Sequence, residues 1–124
     1  MVKDPIQRRP SGGQTAEQTL LSDFHQDADM RPIVVMFLNE IPTRIETLRK
    51  FLESEDRPQF RRVVHQIKGA GGGYGFHPIS DAAARLERCL DAAGPRWSQE
   101  CHAHLDALLT LLRRAHAGLA HLPQ

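Results

Sequence analysis

The chain has 124 residues, 40% of them hydrophobic and 25% charged, with a net charge of +1. That length holds one packed core and not two, and the near-neutral balance gives no general attraction to nucleic acid or to an anionic membrane. No apolar run reaches the ~18 residues that a bilayer-spanning helix needs, no apolar block follows Lys3, Arg8 and Arg9 as a secretory signal would require, and two cysteines without metal spacing fit a reduced, cytoplasmic protein.

Residues 1–13 read as a disordered tail, because Pro5, Pro10, Ser11, Gly12 and Gly13 break any pattern and few apolar groups are present to bury. The domain is expected over residues 14–122. A short first helix is expected over residues 15–24. Thr15 and Gln18 have the spacing of a capping box, and Leu20, Leu21 and Phe24 give one apolar edge. A long helix follows over residues 29–54, with Asp29 as cap and Pro32 in its first turn. Val34, Leu38, Ile41, Ile45, Leu48 and Leu52 step by fours and threes along it, the seam of a packed bundle helix. Pro42 lies inside that pattern and predicts a kink.

Asp56 caps the next helix, expected over residues 58–73 and ended by Gly75 and Pro78. A fourth helix, beginning at Ser80 or Pro78 and running to about Ala93, buries Ile79, Ala82, Ala83, Leu86 and Leu90, and Gly94-Pro95 stops it. The last is expected over residues 98–121, with Cys101, Leu105, Leu108, Leu112, Ala115, Leu119 and Leu122 on its seam. Cys89 and Cys101 fall near adjoining helix ends, but a disulfide is not expected in a reducing compartment. Short loops between these helices imply an all-α fold, an antiparallel up-down four-helix bundle with a short extra N-terminal helix, expected as a monomer because the bundle buries its own seams.

The chemistry concentrates in the stretch from His65 to Gly75. Gly69, Gly71, Gly72 and Gly73 stand where a helical pattern is still in force, each at a cost of roughly 1 kcal/mol relative to alanine. On a wheel of about 100° per residue, Phe60, Val63, Val64, Ile67, Gly71 and Tyr74 form a core stripe and His65 points about 140° away from it. Arg61, Arg62, Lys68, Gly69 and Gly72 are its neighbours on the outward face. Cations favour an anion held on the imidazole, and residues without side chains leave room for a visiting partner. A lone surface histidine is most often only that, and helical glycines often mark close packing or a helix end. The outward angle, Lys68 and the adjacent glycines together weigh towards a histidine that carries phosphate. Seven histidines raise the question of a metal, but His102 and His104 are two apart, His116 and His121 are five apart, and no His-x-x-x-His occurs, so no metal site is expected.

His65, Ile67, Lys68, Gly69 and Gly75 also match, position by position, a His-x-[Ile/Leu]-Lys-Gly pattern with a glycine ten residues after the histidine. In this the chain resembles the histidine-containing phosphotransfer (HPt) domain family over about residues 28–118. The glycines at 71–73 are denser than the family pattern. The resemblance implies a four-helix bundle whose histidine accepts a phosphoryl group from an aspartyl phosphate and passes it on. It implies response-regulator receiver domains and a (hybrid) histidine kinase as partners, with Mg2+ supplied by the receiver and no cofactor of the chain's own.

Imidazole, with a reference pKa of about 6.5, is largely neutral and nucleophilic at neutral pH. Phosphoryl transfer needs mainly positioning and compensation of charge. The expected phosphorylated residue is therefore His65, with Lys68 as the near cation and Arg61, Arg62, Gly69 and Gly72 as the docking face. No carboxylate cluster for Mg2+ stands beside the histidine in the sequence. No Gly-x-x-x-x-Gly-Lys-[Ser/Thr] loop occurs, so neither ATP binding nor kinase activity is expected: a phosphoryl carrier, not an enzyme. A second reading is a non-catalytic helical docking module that binds a receiver or kinase without phosphate transfer.

Overall fold

A computed structural model describes residues 19–122 of the chain. The expected tail, residue 14 and residues 15–18 of the expected first helix lie outside the described residues. Residues 19–30 form turns and no helix, which corrects the expectation of a short N-terminal helix over the part that is described. The cause is where this segment's hydrogen bonds go. The Leu20 amide donates to the Arg114 carbonyl at 3.1 Å and the Asp23 amide to the Gly75 carbonyl at 2.9 Å. The Ser22 hydroxyl donates to the Tyr74 carbonyl at 2.6 Å. These long-range bonds replace the i→i−4 bonds a helix would have used.

Helix α1 (Arg31–Glu53) begins two residues later than expected, with Pro32 in its first turn and Pro42 accommodated within it. Asp29 is not its cap. The Asp27 carboxylate takes the amides of Asp29 at 2.9 Å and Met30 at 3.2 Å, and the helix starts beyond them. Helix α2 (Arg57–Gly73) is capped by Asp56, whose side chain accepts the Gln59 amide at 3.2 Å. Helix α3 spans His77–Ala92. The expected last helix is divided: α4 (Trp97–Glu100) and α5 (His102–Ala117) meet at Cys101, and a 3-10 turn follows at Gly118–His121. The division is local. The Cys101 amide still donates to Trp97 at 2.9 Å and its carbonyl still accepts from Leu105 at 3.0 Å. Trp97 and Cys101 are both buried there, with the indole 5.3 Å from the Phe60 ring.

The four main helices close a ring. Helix α1 packs on α2, α2 on α3, α3 on α5, and α5 on α1. Their apolar stripes meet in one core that includes Phe37, Ile41, Phe60, Ile67, Leu86 and Leu108. Helices α2 and α3 run in opposite directions. Arg57, at the start of α2, donates to the carbonyls of Leu90, Ala93 and Gly94 at the end of α3, while Gly71 near the end of α2 meets Ile79 near the start of α3. The guanidinium thus satisfies carbonyls that a helix C-terminus leaves without partners. No strand occurs among the described residues, and none of their helices is long and apolar enough to cross a membrane.

Candidate functional site

The α2 wheel places Phe60, Val64, Ile67 and Gly71 inward, and all four are buried. His65, on the opposite side, keeps 64% of its side chain exposed. The imidazole does not stand alone. Its Nδ1 lies 2.6 Å from Oε2 of Glu87 on α3. The Lys68 ammonium donates to the other oxygen of the same carboxylate at 3.3 Å, and Arg61 approaches it at 3.5 Å. Glu87 is only 9% exposed at its side chain. A nearly buried carboxylate is therefore shared by three groups of α2 that lie along one stripe, at positions 61, 65 and 68.

Burial by itself would raise the Glu87 pKa. Hydrogen bonds from His65 and Lys68, with the charges of those groups, outweigh it and hold the carboxyl below its ordinary value. Glu87 is then ionised at neutral pH and can only accept, so Nδ1 of His65 carries the hydrogen between them. The lone pair of a neutral ring is left on Nε2, on the far side of the imidazole from the buried carboxylate. The arrangement fixes both the ring's orientation and its tautomer while leaving the nucleophilic nitrogen outward.

The remaining sequence candidates separate. Arg62 is exposed on the outer face. Arg61 is not a free cation: it makes a two-point bond to Asp91 of α3, at 2.6 and 3.0 Å. That pair raises the Arg61 pKa and lowers that of Asp91 from their ordinary values, each chiefly through the hydrogen bonds between the two side chains. Gly69 is open, with nothing within 4 Å of where a Cβ would stand. Gly72 is half-covered, because a Cβ there would meet the Ser80 hydroxyl at 3.4 Å, whereas Gly73 is as open as Gly69. The bare surface beside His65 thus follows Gly69 and Gly73 more than Gly72.

Glu87 and Asp91 are the residues that sequence reasoning missed. Glu87 sits 22 positions from His65 and looks like one more charge on a polar face. One signal was present: it falls four residues after Ala83 and three before Leu90, on the border of the buried stripe of α3. Among the described residues no group of three or more His, Cys, Asp or Glu is placed to hold a metal ion.

A family model described as "Hpt domain" matches residues 32–115, about two thirds of the chain. No curated protein and no solved structure matches it.

Proposed function

The chain belongs to the Hpt domain family, and from that premise we propose that His65 carries the phosphoryl group, receiving it from the aspartyl phosphate of one receiver domain and passing it to the aspartate of another. Family members are histidine-containing phosphotransfer modules of two-component signalling, phosphocarriers and not kinases. The observation that carries the assignment is the 2.6 Å contact between His65 Nδ1 and the nearly buried Glu87 carboxylate, made by a ring that is otherwise exposed.

In the transfer, the Nε2 lone pair attacks phosphorus as the bond from phosphorus to the aspartyl oxygen breaks, and that carboxylate leaves. The Nδ1 hydrogen remains on its bond to Glu87, which compensates the positive charge that develops on the ring. In the onward step an aspartate oxygen attacks the same phosphorus and Nε2 leaves with its lone pair. Lys68, one helical turn from His65 and 41% exposed at its side chain, offsets charge on the transferred group. The receiver supplies Mg2+ beside its own aspartate.

Gly69 leaves room for the receiver's loops, with Gly72 bounding that space on the α3 side. Arg62 is the cation on this face for an acidic rim of the partner. Arg61 contributes by holding α3, and with it Glu87, against α2. Ile33 and Met36 are exposed on α1 within about one turn before Phe37, whose ring lies 5.5 Å from Tyr74 at the end of α2, and they provide apolar contact for the same partner. On this reading the ring of helices is an up-and-down bundle acting as a cytoplasmic monomer between a hybrid histidine kinase and a response regulator. The open face at Gly69 and Gly73 also favours the second reading, docking without phosphate transfer, and one assay separates the two. Phosphorylated receiver domains are mixed with the chain and acid-labile, base-stable label is measured on it. Label that vanishes in His65→Gln supports the carrier. Undiminished label in that variant overturns the assignment of His65, and no label in spite of binding favours the docking module.

A further inference from the structure

The seam between α1 and α5 lies across the ring from the seam of α2 and α3. Two clefts adjoin in it and share Ile45 and Arg49. One, of about 70 Å3, is floored by Leu48, Leu52, Leu105 and Leu109. The other, of about 290 Å3, is floored by Ile41 and Pro42 and rimmed by Arg49, Arg113 and His116. Ile45, Leu52 and Leu109 stay only partly buried, so the described residues leave apolar surface uncovered along the groove. From Ile41 to Leu52 it extends ~16 Å along α1, at 1.5 Å per residue.

The charges around this groove are uneven. Among the described residues no carboxylate lines either cleft. Arg113 is exposed and makes no ion pair among the described residues. Arg49 reaches Glu46 at 3.1 Å, but both side chains are more than half exposed, and such a pair holds its partners weakly. Arg113 and His116 line only the larger cleft and Arg49 lines both, whereas Leu48, Leu52, Leu105 and Leu109 line only the smaller one, so a cationic end and an apolar end follow one another along the groove.

We infer that the α1–α5 groove binds an anionic amphiphile: an alkyl chain along Leu52 and Leu109, ending in a carboxylate or phosphate between Arg49, Arg113 and His116. The site is independent of His65 and of phosphate transfer. The test titrates the isotopically labelled full chain with laurate, dodecyl phosphate and dodecanol, each below its micellar or solubility limit, and follows backbone amide resonances. Saturable shifts at Ile45, Leu52, Leu109 and Arg113 are expected with at least one of the two anions, and which anion binds identifies the head group. Dodecanol is expected to bind about tenfold more weakly, because it lacks the charge-assisted hydrogen bonds. The double variant Arg49→Glu, Arg113→Glu, checked for unchanged helicity, is expected to weaken anion binding by about tenfold or more. Dodecanol binding as tightly as the anions, shifts gathered around His65 instead of the groove, undiminished binding by the double variant, or no saturable shift with either anion would overturn the inference.

Discussion

Within five residues of α2, glycine meets two different surroundings. On the inner side, a Cβ at Gly71 would lie 3.0 Å from Ile79 Cγ2 and 3.1 Å from the Ser80 amide. Just past the helix end, Gly75 takes φ +84 with Ser22 and Asp23 folded against it. On the outer side, Gly69 and Gly73 touch nothing within 4 Å. The inner glycines let α3 and the N-terminal segment come close enough to place Glu87 under His65 and Ser22 under Tyr74. The outer glycines weaken the helix and return nothing to the isolated fold. That contrast separates residues the structure requires from residues that only a visiting partner explains.

The comparison can be broken first at Gly75. An L-residue in the left-handed region costs about 1–2 kcal/mol, and a Cβ there would come 2.6 Å from the Ser22 hydroxyl and 2.9 Å from the Asp23 amide. Gly75→Ala is therefore expected to lose at least about 2 kcal/mol, measured as the midpoint of urea unfolding. A midpoint equal to that of the parent would show that residues 22–24 are not docked as described. Gly71→Ala comes next. Overpacking against Ile79 costs about 1–3 kcal/mol, and the gain in helix propensity returns up to about 1, so a net loss of roughly 1 kcal/mol is expected. A stabilised Gly71→Ala protein would mean that α2 and α3 are less closely packed at this point.

Much of this was legible in the chain. The inward stripe of α2, the Asp56 cap and the stop at Gly94-Pro95 follow from period, capping chemistry and backbone sterics, all of which are local. What escaped was non-local. The helix read over residues 15–24 has adequate local signals, yet from Leu20 to Asp23 its amides and hydroxyl bond to Arg114, Gly75 and Tyr74. Asp29 looked like a cap, but Asp27 reaches the amides first. His65 could be placed on its face by the wheel, whereas its partner Glu87 depends on how α3 lies against α2. Arg61 falls on the expected docking face by the wheel, whereas its bond to Asp91 is illegible for the same reason, since Asp91 belongs to another helix. Cys101 was placed correctly on a buried seam, where burial and the neighbouring Cys89 thiol push its pKa up to about 12. The backbone irregularity at that residue has no local signature.

The outer glycines sharpen the contrast from the other direction. Gly69→Ala and Gly73→Ala meet no neighbour, so each is expected to stabilise the protein by up to about 1 kcal/mol. If the proposed docking face is right, Gly69→Ala should also slow label transfer from a phosphorylated receiver, with Gly73→Ala, farther from His65, affecting it less. Faster unfolding in either variant would contradict the open surroundings. Unchanged transfer in Gly69→Ala would leave the glycine without a partner to explain it.

The smallest expected effect tests the buried carboxylate that the inner packing brings under the site. Glu87 is held below its ordinary pKa by His65 and Lys68 against the opposing effect of burial. A group whose pKa is lower folded than unfolded contributes stability above the unfolded value, and loses it as pH falls through the folded one. Its contribution should therefore be complete near pH 5 and decline towards pH 3. Because His65 and Lys68 are partly exposed, solvent screening limits the contribution to less than about 1 kcal/mol. Glu87→Gln keeps the shape and removes the titration. Urea midpoints of parent and variant should converge between pH 5 and pH 3, with the parent the more stable at the upper end. Midpoints that run parallel over that range would mean that the carboxylate is not ionised against its α2 partners. The tautomer assigned to His65, which rests on an acceptor-only Glu87, would then lose its basis.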